Sequence, residues 1–351
     1  MENVKTMADI TAIDVFCGIG GLTEGLKLAG FKVIGAIEKE PVVADVFRLN
    51  HPEVFLWNED IKEITGNKIK KALGIKKGEL GLLAGCPPCQ GFSSMRTKNG
   101  AYFIDDERND LVFDLLRLIK DLMPRAVMME NVPGLFRDHR MKKILFDLRS
   151  LGYHIDGESL QILDISRYEV PQRRKRMVLI TAFNKKIDFA EPDKTSVTVR
   201  QVLQKVPAQG NGNDPLHDYP VKRSERIEKM IRLIPKNGGS RTDLPKKYRL
   251  PCHIRYPSGF RDVYGRMKWD DVSPTITGGC INPSKGRFLH PEEDRAITLR
   301  EALLLQTFRE DYRFPTNIAR DRIALMIGNA LPPKFIYKHA LEIKKQLFAF
   351  C

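Results

Sequence analysis

Residues 14–21 read DVFCGIGG, and this stretch decides the expected fold. The apolar run ITAIDVFC (10–17) predicts a buried strand, and GGLTEGLKLAGF after it has the spacing of a helix. Glycines at such a junction let the backbone approach a ligand, and the helix N-terminus offers free N–H groups. The glycines at 18, 20 and 21 fit neither the GxGxxG fingerprint nor a P-loop, so an ordinary tight turn remains an alternative.

The alternation of strand and helix patterns continues to about residue 183. Further strands are predicted at 32–38, 79–86, 125–132 and 175–183, and helices at 41–50 and 107–124. This rhythm favours an α/β fold with a doubly wound, mostly parallel sheet. Residues 185–294 are richer in loops, and helical patterns return at 298–308, 320–330 and 332–350. We therefore predict one domain from 1–184 and 295–351, and a second, smaller, loop-rich domain at 185–294.

The positive charge is concentrated in one part of the chain. The net charge is +14, and residues 194–270 hold 17 Lys/Arg against 7 Asp/Glu. Such an excess indicates a face that binds a polyanion, nucleic acid above all, although a solvated basic surface is the alternative. No apolar run is long enough to span a membrane, and the N-terminus lacks a signal core. We expect a cytoplasmic protein whose six cysteines are thiols.

Two acidic residues follow predicted strands and suggest a nucleoside site. Glu38 ends the second strand, where a carboxylate can accept from both hydroxyls of a ribose. Asp60 follows the third strand and could accept from an adenine amino group. Each residue alone is as easily a helix cap or an exposed charge. Together with the glycine loop they outline a site at the carboxyl ends of parallel strands.

The stretch GCPPCQGFS (85–93) places two cysteines three positions apart. Zinc would need two further ligands, and no second C-x-x-C or H-x-H pair of suitable spacing exists. A redox pair of the thioredoxin kind belongs in a much smaller domain. A nucleophilic cysteine needs a positive neighbourhood and an acid near its target. Glu130, in MENVPG, and the basic run QRRKR (172–176) could supply them.

These motifs, in this order, resemble those of the prokaryotic cytosine-5 DNA methyltransferases. The matching stretches are DVFCGIGG, PCQ, ENV, Q-x-R-x-R, RAITLREALLLQTF and IGNALPP, and they cover the chain except roughly 185–265. The resemblance implies a class I, Rossmann-like methyltransferase fold, with target recognition in the second domain. It also implies that Cys89 is the nucleophile and that Cys86 is a packing residue.

The resemblance assigns a role to each candidate site residue. The implied catalytic residues are Cys89, Glu130, Arg174 and Arg176. The implied contacts to S-adenosylmethionine, whose product is S-adenosylhomocysteine, are Phe16, Gly18, Ile19, Gly20, Gly21, Glu38, Asp60, Ile61, Leu111 and Asn329. The implied nucleic-acid contacts are Gln90, Ser93, Gln172 and Thr275. Residues 91–108 are expected to form a loop that closes over the site, and no metal is expected.

The implied activity is DNA (cytosine-5)-methylation within a short recognition sequence. Such an enzyme flips a cytosine out of the duplex and forms a covalent bond between its cysteine and C6. The expected partners are double-stranded DNA and a separately encoded restriction endonuclease, and the chain is expected to be a monomer. One alternative is a tRNA methyltransferase of the same family, whose usual CFT after ENV is replaced here by VPGLFRDHR. Another is an inactive DNA-binding homologue.

Overall fold

A computed structural model describes residues 10–88, 107–256, 259 and 261–348, without the side chains of residues 107 and 108. The chain divides into two compact units. The first comprises the described residues of Met1–Asp164, Lys175–Pro192 and Leu331–Cys351, and the second those of Ile165–Arg174 and Asp193–Ala330. The second unit thus includes residues 165–174 and 295–330, which the predicted bounds give to the first domain. The division of chemistry and target recognition between domains stays a prediction.

A sheet of seven strands forms the centre of the first unit, in the order β3-β2-β1-β4-β5-β7-β6. The strands are β1 (Thr11–Val15), β2 (Lys32–Ile37), β3 (Phe55–Trp57), β4 (Leu82–Gly85), β5 (Ala126–Asn131), β6 (Leu160–Asp164) and β7 (Lys175–Ala182). Strands β1 to β5 pair in parallel, whereas β7 runs antiparallel to both β5 and β6. The predicted mostly parallel sheet is confirmed, although the sequence patterns did not indicate β6.

Helices follow most of the parallel strands, as the alternating pattern predicts. They are α1 (Gly21–Leu28), α2 (Pro41–Asn50), α3 (Gly66–Leu73), α4 (Leu111–Leu122) and α5 (His139–Ser150). The chain's last described helix, α11 (Pro333–Phe348), belongs to the same unit and packs on α1. The two helices can approach closely because residue 25 of α1 is a glycine. A Cβ at Gly25 would collide with Ile336 of α11.

The core of the first unit explains why its strands are apolar throughout. Alternate residues of β1, β4 and β5 pack against α3, α4 and α5, where Leu115, Leu118 and Ile119 of α4 are fully buried. The intervening residues, among them Ala12 and Ala84, are also buried. A sheet buried on both faces needs near-continuous apolar strands, which is the observed pattern.

The second unit contains short helices joined by long irregular segments. Its helices are α6 (Val199–Leu203), α7 (Glu225–Leu233), α8 (Pro251–Arg255), α9 (Leu299–Leu305) and α10 (Arg320–Asn329). Its described residues form isolated bridges but no strand. A small apolar core joins α7 to Leu289, and the fully buried Arg266 donates to the carbonyls of Ile231, Ile234 and His290. No helix in the described ranges combines the length and apolar character needed to cross a membrane.

Candidate active site

The parallel strands β1 to β5 end at one edge of the sheet, and most of the predicted site residues of the first unit lie there. The glycine loop leaves β1, and Glu38 follows β2 directly. The Gly18 N–H donates to Glu38 Oε2 over 3.0 Å, and the Glu40 N–H donates to Glu38 Oε1 over 2.8 Å. Burial raises the pKa of Glu38, while these two hydrogen bonds oppose the rise. The loop and the carboxylate are therefore held as one structure.

The glycine loop has a backbone that few other residues could adopt. Gly18 and Gly20 have φ of 54° and 90°, and Phe16 is also left-handed at 65°. A Cβ on Gly20 would collide with the ring of His51, whereas a Cβ on Gly18 would meet no atom of the described residues within 4 Å. Ile19 is buried, and Gly21 begins α1. The open space beside Gly18 is a cradle that a ligand can enter.

Asp60 and its neighbours close the far side of this edge. Asp60 caps the 3₁₀ helix Ile61–Glu63 through Lys62 N–H, and Lys39 Nζ lies 2.7 Å from Asp60 Oδ2. The hydrogen bond from Lys39 lowers the pKa of Asp60. Ile61 is buried, and Leu111, at the start of α4, is partly buried against the core. Asp60 thus caps a helix, which was the alternative interpretation of this residue. Its carboxylate is also ionised, as a contact to an adenine amino group would require.

A buried acid lies beneath the loop. Asp14 is fully buried in β1, and its Oδ2 accepts from Thr23 Oγ1 over 2.7 Å. Its Oδ1 has no hydrogen-bond partner among the described residues. Burial raises the pKa of Asp14 to about 7. The open cradle, the fixed Glu38 carboxylate and this acid form a donor and acceptor set that fits a nucleoside carrying a cationic amino-acid chain.

Glu130 and Arg176 form an ion pair at the same edge of the sheet. Glu130 pairs with Val178 across the antiparallel β5–β7 ladder, so Arg176, two residues earlier, projects from the same face. Arg176 Nε lies 2.6 Å from Glu130 Oε1, and Glu130 is only 6% exposed. The antiparallel strand explains how a residue at the start of β7 meets one near the end of β5. The structure brings these two predicted catalytic residues together.

The two cysteines of GCPPCQGFS differ in what the structure describes. Cys86 continues β4, where its N–H donates to the Val15 carbonyl over 3.2 Å. Burial, and then the negative charge of Glu130, raise the pKa of its thiol well above the usual value. Cys86 is therefore a neutral thiol near neutral pH, which suits packing better than nucleophilic attack. Cys89, Gln90, Ser93 and residues 91–106 of the predicted closing loop lie outside the described residues.

Four of the predicted site residues lie in the second unit: Gln172, Arg174, Thr275 and Asn329. Arg174 contacts the two backbone segments to which the last two belong. Arg174 is buried and its Nη1 donates to the carbonyls of Ile276 and Gly328 over 3.3 and 3.1 Å. Thr275 Oγ1 donates to the Arg173 carbonyl over 2.7 Å. Asn329 ends α10, is exposed, and forms no hydrogen bond through its side chain with the described residues. Arg174 thus joins the segments that carry Thr275 and Asn329.

Gln172 lies in a buried hydrogen-bond network of the second unit. Its side chain is fully buried, its Nε2 donates to Gln306 Oε1 over 2.7 Å, and its Oε1 accepts from Ile276 N–H over 3.1 Å. Gln306 Nε2 in turn donates to the Ile327 carbonyl over 2.6 Å. Both polar atoms of the Gln172 amide are thus paired with groups of the protein, and the nucleic-acid contact that the motif implies stays a prediction.

Sequence reasoning missed three residues that hold the site. Asn131 Nδ2 donates to the Pro87 carbonyl over 3.0 Å, and Asn58 Nδ2 donates to the Glu38 and Lys39 carbonyls over 2.9 and 3.0 Å. Gln306 is the third, through Gln172. A sequence signal exists for Asn131, because it directly follows Glu130 in the ENV motif. Asn58 and Gln306 carry no signal, because their partners are backbone atoms or residues distant in sequence.

With this geometry established, comparison with known proteins gives the family. The sequence profile of the C-5 cytosine-specific DNA methylases matches residues 10–345. The chain belongs to this family. Membership makes it an enzyme, a DNA (cytosine-5-)-methyltransferase. No group of three or more potential metal ligands occurs among the described residues of this methyltransferase.

Relatives and solved structures agree with this membership. The Type II methylase M.HgiDII of Herpetosiphon aurantiacus is 34% identical over 348 residues, covering 95% of each chain. The Type II methyltransferase M1.HphI of Haemophilus parahaemolyticus is 32% identical, covering 92% of this chain and 84% of its own. An E. coli prophage protein crystallised as a candidate DNA modification methyltransferase is 26% identical, with a TM-score of 0.70 over 97% of this chain and 99% of its own. S. pombe Dnmt2 methyltransferase shares the fold, with a TM-score of 0.62 and 18% identity over 97% and 99%. The predicted class I, Rossmann-like fold is confirmed.

Proposed function

We propose that the chain methylates C5 of one cytosine within a short sequence of duplex DNA, with Cys89 as the nucleophile and S-adenosylmethionine as the methyl donor. One observation carries the proposal. The Glu130–Arg176 ion pair lies at the end of β5, where Asn131 holds the carbonyl of Pro87, two residues before Cys89. An acid, a cation and the backbone at Pro87, two residues before Cys89, thus belong to one edge of the sheet.

The residues near the glycine loop would hold the methyl donor. Glu38 would accept from the ribose hydroxyls, Asp60 from the adenine amino group, and the Gly18 cradle would take the amino-acid part. Phe16, Ile61 and Leu111 would supply apolar contact. When bound there, S-adenosylmethionine supplies an electrophilic methyl group. Asn329 is proposed as a further contact because its amide is exposed and unpaired among the described residues.

The protein's own groups would prepare the cytosine ring for attack. Addition of the Cys89 thiolate to C6 makes C5 nucleophilic, and it moves negative charge towards O2 and N3. Glu130 would hold the N4 amino group and N3, and Arg176 would both orient Glu130 and reach O2. The ion pair keeps both side chains in place before substrate arrives, which is how enzymes lower the cost of charge development. Loss of the C5 proton and departure of Cys89 from C6 then restore the ring.

The second unit would supply the positioning that base flipping requires. Extrusion of a base costs a few kcal/mol, which contacts to the displaced strand must offset. Thr275 is proposed to brace the flipped nucleotide, while Arg174 holds the backbone that carries it. Gln90 and Ser93 are proposed as strand contacts from the segment after Cys89. The basic stretch 194–270 would carry most of the phosphate contacts.

The choice of duplex DNA over tRNA is supported by the relatives. M.HgiDII and M1.HphI, which are 34% and 32% identical to the chain, are named a Type II methylase and a Type II methyltransferase. Dnmt2 is similar in fold alone at 18% identity. A Type II relationship also favours a separately encoded restriction endonuclease that cleaves the same sequence. Methyl transfer to duplex DNA and to tRNA, measured side by side with a radiolabelled methyl donor, separates the two substrates.

Covalent trapping tests the mechanism. Duplex DNA with 5-fluorocytosine in place of every cytosine presents a trap without knowledge of the target sequence. Fluorine cannot leave C5 as a cation, so the enzyme should remain bonded to C6 through Cys89. A denaturing gel should show a slower band that needs the methyl donor. Cys89→Ser should abolish the band, and Cys86→Ser, the matched control three residues away, should keep it.

The outcomes of this experiment are clear. Peptide mapping of the trapped species to Cys89 supports the mechanism. An adduct that fragment-ion sequencing of this peptide places on Cys86 and not on Cys89, or an undiminished band in Cys89→Ser, contradicts it. Methyl transfer to tRNA without transfer to DNA would show that tRNA is the substrate, and the proposed covalent chemistry would stand.

A further inference from the structure

A cavity of about 950 Å³ lies wholly within the second unit, and none of the individually named candidate site residues lines it. Its lining comes from the segment that leads into α7, from α7 itself, from the turn near Asn282, and from the start of α10. This volume is at the upper end of the range of small-molecule sites. It can therefore take a group as large as a nucleotide.

Two cations at this cavity lack partners. Lys222 and Arg223 form no ion pair and no hydrogen bond through their side chains with the described residues, and Arg223 is half-buried. Burial lowers the pKa of Arg223, and Glu228 acts on it only through the longer-range attraction of its charge. A half-buried guanidinium without a partner is unusual, because desolvating a charge is costly unless a counter-charge is supplied. An anionic ligand would supply it.

The other charges of the lining are already compensated or exposed. Arg295 binds Glu293 and Glu301, and Asp294 lies 2.5 Å from both Lys236 and Arg266. Arg232 lies 3.4 Å from Glu228 on α7. Asp321 is exposed at the start of α10. Lys222 and Arg223 are therefore the two cations of the lining that have neither an ion pair nor a side-chain hydrogen bond to a described residue.

Another part of the lining is aromatic and partly apolar. The guanidinium of Arg320 lies 4.6 Å from the ring centre of Tyr219 and donates to the Pro220 carbonyl over 3.0 Å. Tyr219 is itself fixed, because its hydroxyl accepts from Leu299 N–H over 3.1 Å. Ile227 and Tyr264 add apolar surface. Stacked planar groups next to unpaired cations are the lining that a base and its phosphate need.

We propose that this cavity binds one nucleotide unit of the DNA strand, with its phosphate on Lys222 and Arg223 and its sugar or base against the Tyr219–Arg320 wall. The inference rests on the proposed DNA substrate. A free nucleotide presents the same chemistry, so the experiment must separate the two sources. The strand is favoured because Lys222 and Arg223 belong to the basic stretch 194–270, whose charge excess suits a polyanion.

The test uses the full chain and fluorescence anisotropy with a labelled duplex of mixed sequence. Arg223→Gln should weaken duplex binding and lower the slope of log affinity against log salt by about 0.9, the contribution of one phosphate contact. Arg223→Lys should restore the slope. Lys142→Gln is the matched control, because Lys142 is an exposed cation on α5, outside both the cavity and the basic stretch 194–270. All variants should bind S-adenosylmethionine as the wild type does, as titration calorimetry would show.

Each result decides the inference. A slope in Arg223→Gln equal to those of the wild type and of Lys142→Gln would overturn it, because the cavity would then contribute no phosphate contact. So would loss of dCMP binding in Arg223→Gln with unchanged duplex binding, since the cavity would serve a free nucleotide. If Arg223→Gln lowers the slope while the wild type transfers no methyl group to DNA, the proposed function fails and the cavity site stands.

Discussion

Asn131, the last residue of β5, donates a hydrogen bond of 3.0 Å from Nδ2 to the carbonyl of Pro87. Its Oδ1 accepts from Val132 N–H over 2.8 Å, and the side chain is only 3% exposed. The amide is therefore fixed at both ends. The central sheet holds the backbone that leads into Cys89 through this single side chain, while the neighbouring residue, Glu130, is proposed to hold the substrate ring.

We predict that Asn131→Ala lowers the rate of methyl transfer at least tenfold. The substitution leaves the buried Pro87 carbonyl without its donor, which costs about 1–3 kcal/mol and lets the backbone before Cys89 move. Single-turnover kinetics with saturating DNA and methyl donor would measure this loss. Calorimetric affinity for S-adenosylmethionine should stay near the wild-type value, because Asn131 does not contact the glycine loop. A full rate in a folded Asn131→Ala protein would show that this hydrogen bond does not position the nucleophile.

Glu38→Ala should weaken S-adenosylmethionine binding by about 1.5–3 kcal/mol, or roughly 10- to 150-fold in Kd. The carboxylate is proposed to bind the ribose, and it also accepts from Gly18 N–H, so its loss removes a ligand contact and loosens the loop. Titration calorimetry measures the change. Glu40→Ala is the control, because Glu40 is exposed two residues further on. Equal affinities in the two variants would place the nucleoside elsewhere.

Gln172 and Gln306 should behave as one buried unit. Each single change to Ala leaves the partner amide unsatisfied, at a cost of about 1–3 kcal/mol in the free energy of unfolding. The double variant should lose less than the sum, with a coupling on the order of 0.5–3 kcal/mol. Denaturant unfolding of the wild type, both single variants and the double variant measures the four free energies of this double-mutant cycle. Gln204→Ala, at an exposed position, is the reference for a neutral change. Additive losses would mean that the 2.7 Å contact contributes nothing.

The same variants test the prediction that the motif made for Gln172. If Gln172 contacts only protein groups, Gln172→Ala should leave the salt dependence of duplex binding unchanged. A direct DNA contact would instead appear as weaker binding at every salt concentration, without a matching effect in Gln306→Ala.

The sequence predicted those parts of the structure that depend on local pattern. Apolar runs placed β1, β2, β4, β5 and β7, and Pro41 marked the start of α2 at the residue where it begins. Glu38 and Glu130 could be placed because both follow or end strands, and the ends of parallel strands meet at one edge. Asp60 was placed for the same reason, although β3 ends three residues earlier, at Trp57.

The sequence could not predict contacts between segments distant along the chain. β6 is an outer strand whose burial is uneven, so it lacks the continuous apolar pattern of the central strands. Gln172 lies in a basic run that suggests a nucleic-acid surface, yet its partner Gln306 is 134 residues away. The compact units also divide the run itself, with Arg174 in the second and Arg176 in the first. Such arrangements follow from tertiary packing, which single-residue patterns do not encode.

The last prediction concerns Asp14, the buried acid beneath the glycine loop. Its pKa is raised to about 7 by burial, whereas the ordinary value of 3.8 applies to the unfolded chain. Between these values the folded protein holds a proton that the unfolded chain has lost. The contribution of Asp14 to stability therefore falls as pH rises from about 4 to 7, by up to about 1.4 kcal/mol per pH unit, and is constant above that.

Asp14→Asn should remove this dependence, because the amide has the same shape, can still accept from Thr23 and does not titrate. Other titrating groups are common to both proteins, so the informative quantity is the difference in unfolding free energy between wild type and variant. We expect that difference to shift in favour of the variant as pH rises from 5 to about 7, measured by denaturant unfolding without cofactor. Thr23→Val is the control that removes the hydroxyl donor while keeping the acid. A difference that stays constant across this range would show that Asp14 is already ionised at pH 5, and that the fold compensates its charge by contacts other than the one to Thr23.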